Sequence, residues 1–594
     1  MKQDSKQDSK QDSEQYPKLS PNVTRALDEW LNAPEVDAAT KDELKSCSPA
    51  ELDERFYCDL TFGTAGLRGI LGAGTNRMNI YVVRRATQGL ADYLNDIPGA
   101  AERGVAIAYD SRRCSDRFAE ETASVLAANG IRVYLFSTLH SVPQLSFTLQ
   151  HLGCIAGVVI TASHNPEKYN GYKVYWDYGG QCAPDQAAAI YGKIQSVPMF
   201  GAETMPLCRA KADGLVAMIG EAEDEAYYAA TIGLLNRPEV LGEYGQSLKI
   251  VYTPLHGTGN VPVQTILKRI GVTNVSVVPE QQLPDGSFPT VKAPNPEDPN
   301  AFALSIRLAE QVGATVCLAT DPDADRLGVA VKTKAGDWVT LTGNQIGCIL
   351  LEHILSMKKS LGTLPKNGVV IKSIVSTQLA DAIAKAYGAE LENVLTGFRF
   401  IGERIDEYAR SKEKTYLFGF EESFGFLAGG LARDKDAICS AMLLTECVCC
   451  LARDGLTLAD RLNAIYETYG YYKEKVKSYT LEGKAGMERI AGCMETLYNT
   501  PLSAVGAYPV TRYEDYRGGT ATDEAGNRTP LTLPRTSMVR MLLSNGAWIV
   551  IRPSGTEPKL KLYIGANAET ETAVDALLDA LFLRIDGLLE ENLR

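Results

Sequence analysis

Residues 157–175 read GVVITASHNPEKYNGYKVY. Through Thr161 the stretch is apolar or β-branched, and it then breaks into a polar turn holding Ser163, His164, Asn165 and Pro166. A short apolar run bounded by turn residues predicts a buried strand. A strand that ends on hydroxyl and imidazole groups suits an open α/β sheet, where ligands bind outside the carboxyl ends of the strands. Alone the signal is weak. A serine in a turn is commonly a cap or turn former, and the context ASH lacks the GxSxG pattern of a hydrolase nucleophile. His164, being adjacent to Ser163, is expected to point elsewhere.

Working outward, the same pattern surrounds this stretch. GVAIAYDSR (104–112) is an apolar run ending in charge, and DRFAEETASVLAANG (116–130) reads as a helix closed by Gly130. IRVYLFST and GCIAGVVI are further strands, an α/β order with a mostly parallel sheet. It recurs downstream. LKIVYTPLHGTG (248–259) leads to the helix VQTILKRIG, the strand VSVVPE and then TVCLATDPDADR (315–326). GVVIKSIVST (368–377) leads to the helix QLADAIAKAYG, then ENVLTGF and KTYLFGFEES. Three times a βαβ unit ends in a strand that runs into a charged or hydroxylated loop. The last hundred residues or so differ, predicting a short α+β module around AWIVIRPSGTEPKLKLYIGA and a terminal helix over 569–589.

Other loops carry recognisable chemistry. In TDPDADR, Asp321, Asp323 and Asp325 alternate, and in an extended loop alternate side chains point the same way. Three converging carboxylates need a cation, and hard oxygen ligands suit Mg²⁺ or Ca²⁺. An EF-hand is excluded, because Arg326 would replace its glycine and Lys332 its terminal glutamate. Arg326 suggests a phosphate or carboxylate neighbour. RPSGTEPKLK (552–561) offers Arg552, Ser554, Gly555 and Thr556 as an anion cradle. FGFEESFGF (418–426) places Glu421 and Ser423 where carboxylate and hydroxyl can meet sugar hydroxyls, with Lys435 close behind in RDKD. FGTAGLRG (62–69) presents Arg68 on a glycine-rich loop that could reach a phosphate.

Bulk properties bound the rest. At about 100–200 residues per domain, 594 residues predict three to five domains. A composition 45% hydrophobic and 22% charged is that of a globular protein, and a net charge of −13 argues against nucleic-acid binding. The thirteen cysteines sit mostly in apolar runs, including Cys447, Cys449 and Cys450, and read as reduced core thiols. No leader-like segment and no apolar run of about 18 residues is found, so no membrane partner and a cytoplasmic setting are expected. The triplicated KQDS of residues 2–13 reads as a disordered tail. Residues 21–56 read as helical and solvent-facing.

Together these loops resemble the α-D-phosphohexomutase family, and its phosphoglucomutase-like branch in particular. TASHNP resembles the family's phosphoserine loop, DPDADR its metal loop, FEES its sugar-binding loop and RPSGTEPK its phosphate-binding loop, in the family's order over about residues 55–570. The resemblance implies an α/β protein with three similar mixed α/β domains and a C-terminal α+β domain like the TATA-binding protein, around a central cleft. The expected boundaries are a tail over 1–20 and domains over 21–225, 226–345, 346–475 and 476–594.

It also implies that Ser163 carries the phosphoryl group and that Ser163, Asp321, Asp323 and Asp325 hold Mg²⁺. Glu421 and Ser423 would bind sugar hydroxyls, and Arg552, Ser554, Gly555 and Thr556 the non-reacting phosphate. Arg68, His164, Lys173 and Lys435 are the candidates for charge stabilisation and proton transfer. The implied activity interconverts glucose 1-phosphate and glucose 6-phosphate through glucose 1,6-bisphosphate, with mannose or pentose phosphates as alternative substrates. A metal-dependent sugar phosphatase is a further alternative, using an aspartate of DPDAD as nucleophile. Two positions depart from the pattern: Phe420 stands where a glycine is usual, and His140, in HSVPQLSF, where an arginine is.

Overall fold

A computed structural model describes residues 19–63, 66–481, 483–554 and 559–593. The KQDS repeats, Gly555 and Thr556 lie outside these described residues.

Three sheets repeat one topology. The first contains β1 (Leu67–Ile70), β2 (Val105–Tyr109), β3 (Val133–Phe136), β4 (Ala156–Ile160), β5 (Tyr169–Trp176) and β6 (Val216–Ile219), in the order β1-β5-β4-β2-β3-β6. The second contains β7 (Lys249–Thr253), β8 (Asn274–Val277), β9 (Val316–Thr320), β10 (Leu327–Lys332) and β11 (Trp338–Thr340), in the order β11-β10-β9-β7-β8. The third contains β12 (Gly368–Ser373), β13 (Glu390–Val394), β14 (Thr415–Glu421) and β15 (Gly425–Ala428), in the order β13-β12-β14-β15.

Parallel pairings build the centre of each, three in the first sheet and two in each of the others, and the next strand turns back as an antiparallel hairpin, β4–β5, β9–β10 or β14–β15. The sheets are therefore parallel through their centres, as the α/β order predicts, and mixed because antiparallel strands complete one edge. The three chemical loops are the three hairpin turns. Each contains a non-glycine residue in the left-handed region: Ser163 (φ 51°), Ala324 (φ 51°) and Phe424 (φ 64°). Such backbone costs on the order of 1–3 kcal/mol and persists only where its surroundings hold it.

The C-terminal module is one antiparallel sheet. Its strands are β16 (Tyr471–Thr480), β17 (Ala504–Val505), β18 (Tyr508–Asp515), β19 (Thr520–Asp523), β20 (Arg528–Pro530), β21 (Val539–Leu543), β22 (Trp548–Pro553) and β23 (Lys559–Ala568). They run β16-β23-β22-β21-β18-β19-β20, with β17 paired to β18. Helices Gly483–Asn499 and Glu571–Asn592 close its core.

The N-terminal helices Pro21–Asn32, Ala38–Ser46 and Pro49–Phe56 are capped by the side chains of Ser20, Asp37 and Ser48. They are not simply solvent-facing. Val23, Leu27 and Trp30, at helical spacing, pack with Leu44, Leu52 and Phe56 into a buried cluster. Trp30 meets Tyr81 and Phe200 edge-on, at 5.3 and 5.5 Å between ring centroids, so the segment braces the first α/β unit.

The second and third units share a core in which Ile250, Leu318, Leu350, Phe418 and Leu443 belong to one cluster. The cysteine-rich helix Ala437–Arg453 runs through it and is buried on nearly every side, and its cysteines are free thiols. The first unit meets the third through hydrogen bonds instead. Tyr175 and Gln181 donate to Asp434 (both 2.8 Å), and Ser146 accepts from the Arg433 backbone (2.9 Å).

Within the shared core His353 lies 2.8 Å from Glu446, which also accepts the Asn236 and Arg237 backbone N–H groups at 2.7 and 2.5 Å. Burial opposes charge on His353, but Cys447 and Glu446 beside it reverse that and raise its pKa to about 9. Its ordinary value is about 6.5. A raised pKa stabilises the fold fully below the unfolded value and loses that contribution as pH rises through the folded one. Thermal midpoints are therefore expected to fall between about pH 6.5 and pH 9. His353→Gln should flatten this slope, and a slope unchanged in that variant would exclude His353 as its cause.

Candidate active site

Ser163 follows β4 by three residues, and the Thr161 side chain accepts its backbone N–H (2.8 Å). Ser163 Oγ donates to Asp321 Oδ2 of the second unit at 2.7 Å, and His164 Nδ1 lies 3.1 Å from Ser163 Oγ. The expectation that His164 points elsewhere is thus corrected. The left-handed turn at Ser163 breaks the alternation of an extended chain and brings the two neighbours to one side. Burial first, then the Arg326 and Arg68 charges, hold the His164 pKa well below its usual value.

Asp321, Asp323 and Asp325 offer oxygens within 4.8 Å of one another, all buried. Asp321 braces its own loop by accepting the Asp325 and Arg326 backbone N–H groups at 3.1 and 3.0 Å. Both adjoining units grip the loop: Val142 N–H donates to the Asp323 carbonyl (3.0 Å), and Leu327 N–H to that of Phe424 (3.1 Å). Lys173 Nζ reaches Asp323 Oδ2 at 3.0 Å, and Lys435 Nζ reaches Asp325 Oδ2 at 3.1 Å.

Burial and mutual repulsion push Asp321 and Asp325 up. Asp323 is equally buried, but Lys173 outweighs that and holds it low. Burial works against charge on Lys435 too, yet Asp325, Asp434 and Glu421 keep it an ammonium. Among the described residues, Asp323 Oδ1 and Asp325 Oδ1 are buried with no hydrogen-bond partner. Clustered hard oxygens with unused acceptors fit a divalent cation such as Mg²⁺ or Ca²⁺.

Glu421, the last residue of β14, is buried, and burial raises its carboxyl to about 7 against the pull of Lys435. Ser423 is half-buried in the adjoining turn. Arg326 forms an ion pair with Glu297, the carboxylate neighbour its position suggested, and lies 4.0 Å from Asp325. Arg68, on β1, donates to Asn165 of the serine turn at 3.1 Å. Arg552 lies near the end of β22, and Ser554 N–H donates to the Lys559 carbonyl (2.7 Å). Tyr563 on β23, with Trp548 and Val550, packs against Ile374 and Val375, which joins the C-terminal module to the third unit.

The structure thus gathers Ser163, His164, the aspartates, Lys173, Lys435, Arg326 and Glu421. Sequence reading missed Asp110, Arg112, Asp434 and Glu297. The charges that close the β2 run in YDSR were the available signal for the first two.

Four family models match in order: "Phosphoglucomutase/phosphomannomutase, alpha/beta/alpha domain" I over residues 59–199, II over 229–336 and III over 342–469, and the C-terminal domain over 514–582. A phosphoglucomutase of Staphylococcus saprophyticus is 36% identical over 558 residues, covering 92% of this chain and 98% of the relative. One of Staphylococcus aureus is 34% identical, covering 89% and 93%. In fold, the chain resembles a putative phosphomannomutase from Thermus thermophilus, with TM-score 0.65, 22% identity and 90% and 99% coverage. It also resembles the open form of Paramecium parafusin, with TM-score 0.65, 16% identity and 90% and 96% coverage. Among the described residues, no helix is long and apolar enough to cross a membrane.

Proposed function

The chain belongs to the phosphoglucomutase/phosphomannomutase family, and we propose that it interconverts α-D-glucose 1-phosphate and glucose 6-phosphate as an intramolecular phosphotransferase. The observation that carries this reading is Ser163 Oγ, 2.7 Å from the first carboxylate of a buried triad whose loop both adjoining units grip. Phosphoryl transfer rests on in-line positioning and charge stabilisation rather than on a reactive side chain.

In the proposed cycle, phosphorylated Ser163 gives its phosphoryl group to the free hydroxyl of the sugar monophosphate. The glucose 1,6-bisphosphate so formed turns over in the cleft, and Ser163 takes back the other phosphate. Asp321, Asp323, Asp325 and the Ser163 oxygen would hold Mg²⁺, which offsets charge on the transferring group. Lys435 stays an ammonium, so we assign it, with Lys173, Arg68 and Arg326, to charge stabilisation. His164 is the neutral group beside the transferring oxygen, and we assign it proton transfer at the accepting hydroxyl. Glu421, poised near neutrality, and Ser423 would bind sugar hydroxyls in both orientations. Arg552, Ser554, Gly555 and Thr556 would grip the non-reacting phosphate as the C-terminal module closes. Free thiols throughout fit a reducing compartment, and we place the enzyme in the cytoplasm.

Phosphorus NMR of the protein with Mg²⁺, α-glucose 1-phosphate and a trace of glucose 1,6-bisphosphate tests the proposal. Glucose 6-phosphate is expected, faster than the products of mannose 1-phosphate or ribose 1-phosphate in parallel tubes. Inorganic phosphate as the main product would sink the mutase reading, and a faster mannose reaction would shift the substrate.

A further inference from the structure

Asp110 and Arg112 are wholly buried beside the site, yet neither makes a hydrogen bond to the carboxylate triad or to its lysines. The hydrogen bonds of the Arg112 guanidinium run to one segment of backbone. Nη1 donates to the carbonyls of Pro166 (3.0 Å) and Tyr169 (3.1 Å), and Nη2 to those of Ser163 (2.5 Å) and Asn165. Its Nε faces Asp110 Oδ2 at 3.4 Å. Asp110 accepts from Thr161 Oγ1 (2.6 Å), Ser115 Oγ (2.7 Å) and the Arg112 N–H (2.9 Å). Thr161 Oγ1 in turn accepts the Ser163 N–H at 2.8 Å. The pair thus grips the left-handed serine turn from inside.

The second unit covers this grip. The Phe288 ring lies over the Arg112 guanidinium, 4.9 Å from it. Gly286 lies so close to the strand end that a Cβ there would stand 2.5 Å from Arg113 N and 2.8 Å from Ser111 O. Only a planar fork can serve several carbonyls at once from one buried side chain, and lysine carries a point charge with three rotatable donors.

We propose that Arg112, oriented by Asp110 and covered by Phe288, is a positioning residue that sets the aim of Ser163 Oγ and ties it to the seating of the second unit on the first. The inference rests on Ser163 carrying the phosphoryl group. Its chemical consequence is a partition. On a well-aimed turn the phosphorus passes to the sugar hydroxyl. On a loosened one, water attacks the same phosphorus, the P–Oγ bond breaks, Ser163 Oγ regains a proton and inorganic phosphate leaves.

The test labels wild type and Arg112→Lys with glucose 1,6-bisphosphate carrying ³²P, then measures label on Ser163, kcat, KM and phosphate released per turnover. A misplacement of about 1 Å can cost about 100-fold in rate. Arg112→Lys is expected to keep the label, lose about 100-fold in kcat with KM within about threefold, and release at least about tenfold more phosphate per turnover. A merely structural role would lower the active fraction and leave release per turnover unchanged, which overturns the inference.

If Arg112→Lys does not accumulate as folded protein, Phe288→Leu decides. It keeps every hydrogen bond of the arginine, and raised phosphate release supports the inference where unchanged release overturns it. Wild type that takes no label on Ser163 would overturn the functional reading itself, and this inference with it. A labelled wild type beside a normal Arg112→Lys overturns this inference alone.

Discussion

Ser163→Ala is expected to lower mutase turnover by about 10⁴-fold or more while leaving the protein folded, on the scale seen when a covalent nucleophile is deleted. The loss is large because no other hydroxyl stands in its place. Thr161 Oγ1 is committed to Asp110, to Asp323 Oδ2 and to the Ser163 N–H. Folding should survive because the turn is held by its backbone: the Arg112 bonds and the Thr161 contact do not involve Ser163 Oγ. Alanine already occupies the same left-handed conformation at Ala324, φ 51°, in the equivalent hairpin of the second unit. The deleted hydroxyl removes one donor from Asp321, worth about 1–3 kcal/mol, less than the roughly 5–15 kcal/mol by which a folded protein is stable. Turnover would be followed by phosphorus NMR, and phosphorylation by mass of the intact protein after incubation with glucose 1,6-bisphosphate. Turnover in Ser163→Ala above about one part in a hundred of wild type would mean that another group carries the phosphoryl.

The three chemical turns were legible in sequence because each follows an apolar run and gathers residues that a plain turn has no use for. GVVITASH, TVCLATDPDADR and KTYLFGFEES each show the break from burial to chemistry within a few residues. That the same strands turn back as hairpins was not legible. The returning strand NGYKVYW mixes aromatic residues with Asn170 and Lys173, and its burial comes from Leu67 and the first-unit core, distant in sequence. His164 escaped correct placement for a local reason, the positive φ at its neighbour, which no pattern in ASHN announces. Trp30 looked like one apolar residue of an exposed helix because its partner Phe200 lies in another part of the chain. Asp110, Arg112 and Asp434 act through backbone or through contacts between units. Their role depends on which strands become neighbours.

Asp323→Asn is expected to abolish the stabilisation by Mg²⁺ and, with it, nearly all turnover. Of the three aspartates this one is held low, although it is as buried as the others, because the Lys173 ammonium stands 3.0 Å away. Asp323 is therefore the carboxylate of the three most favoured to be charged, and its second oxygen, Oδ1, has no hydrogen-bond partner among the described residues. Replacement removes a charge and a hard oxygen together. Changing even an outer group around a metal commonly costs about 10–100-fold in affinity, so loss of a ligand should cost at least about 100-fold.

The same substitution bears on the metal-free fold, where two effects oppose each other. Removing Asp323 relieves repulsion on Asp321 and Asp325, but leaves Lys173 buried 3.9 Å from Asp325 with its close partner gone. The depressed pKa says that attraction wins at Asp323. A depressed carboxyl stabilises the fold above its unfolded pKa of about 3.9, so at neutral pH its loss should lower the metal-free thermal midpoint. Titrating Mg²⁺ while following thermal midpoints and binding heat separates the two predictions. Wild type should rise with Mg²⁺ from its higher start, and Asp323→Asn should start lower and stay flat. A variant that still rises would place the cation elsewhere. One that starts higher than wild type would mean that carboxylate repulsion, and not the Lys173 pair, dominates the empty triad.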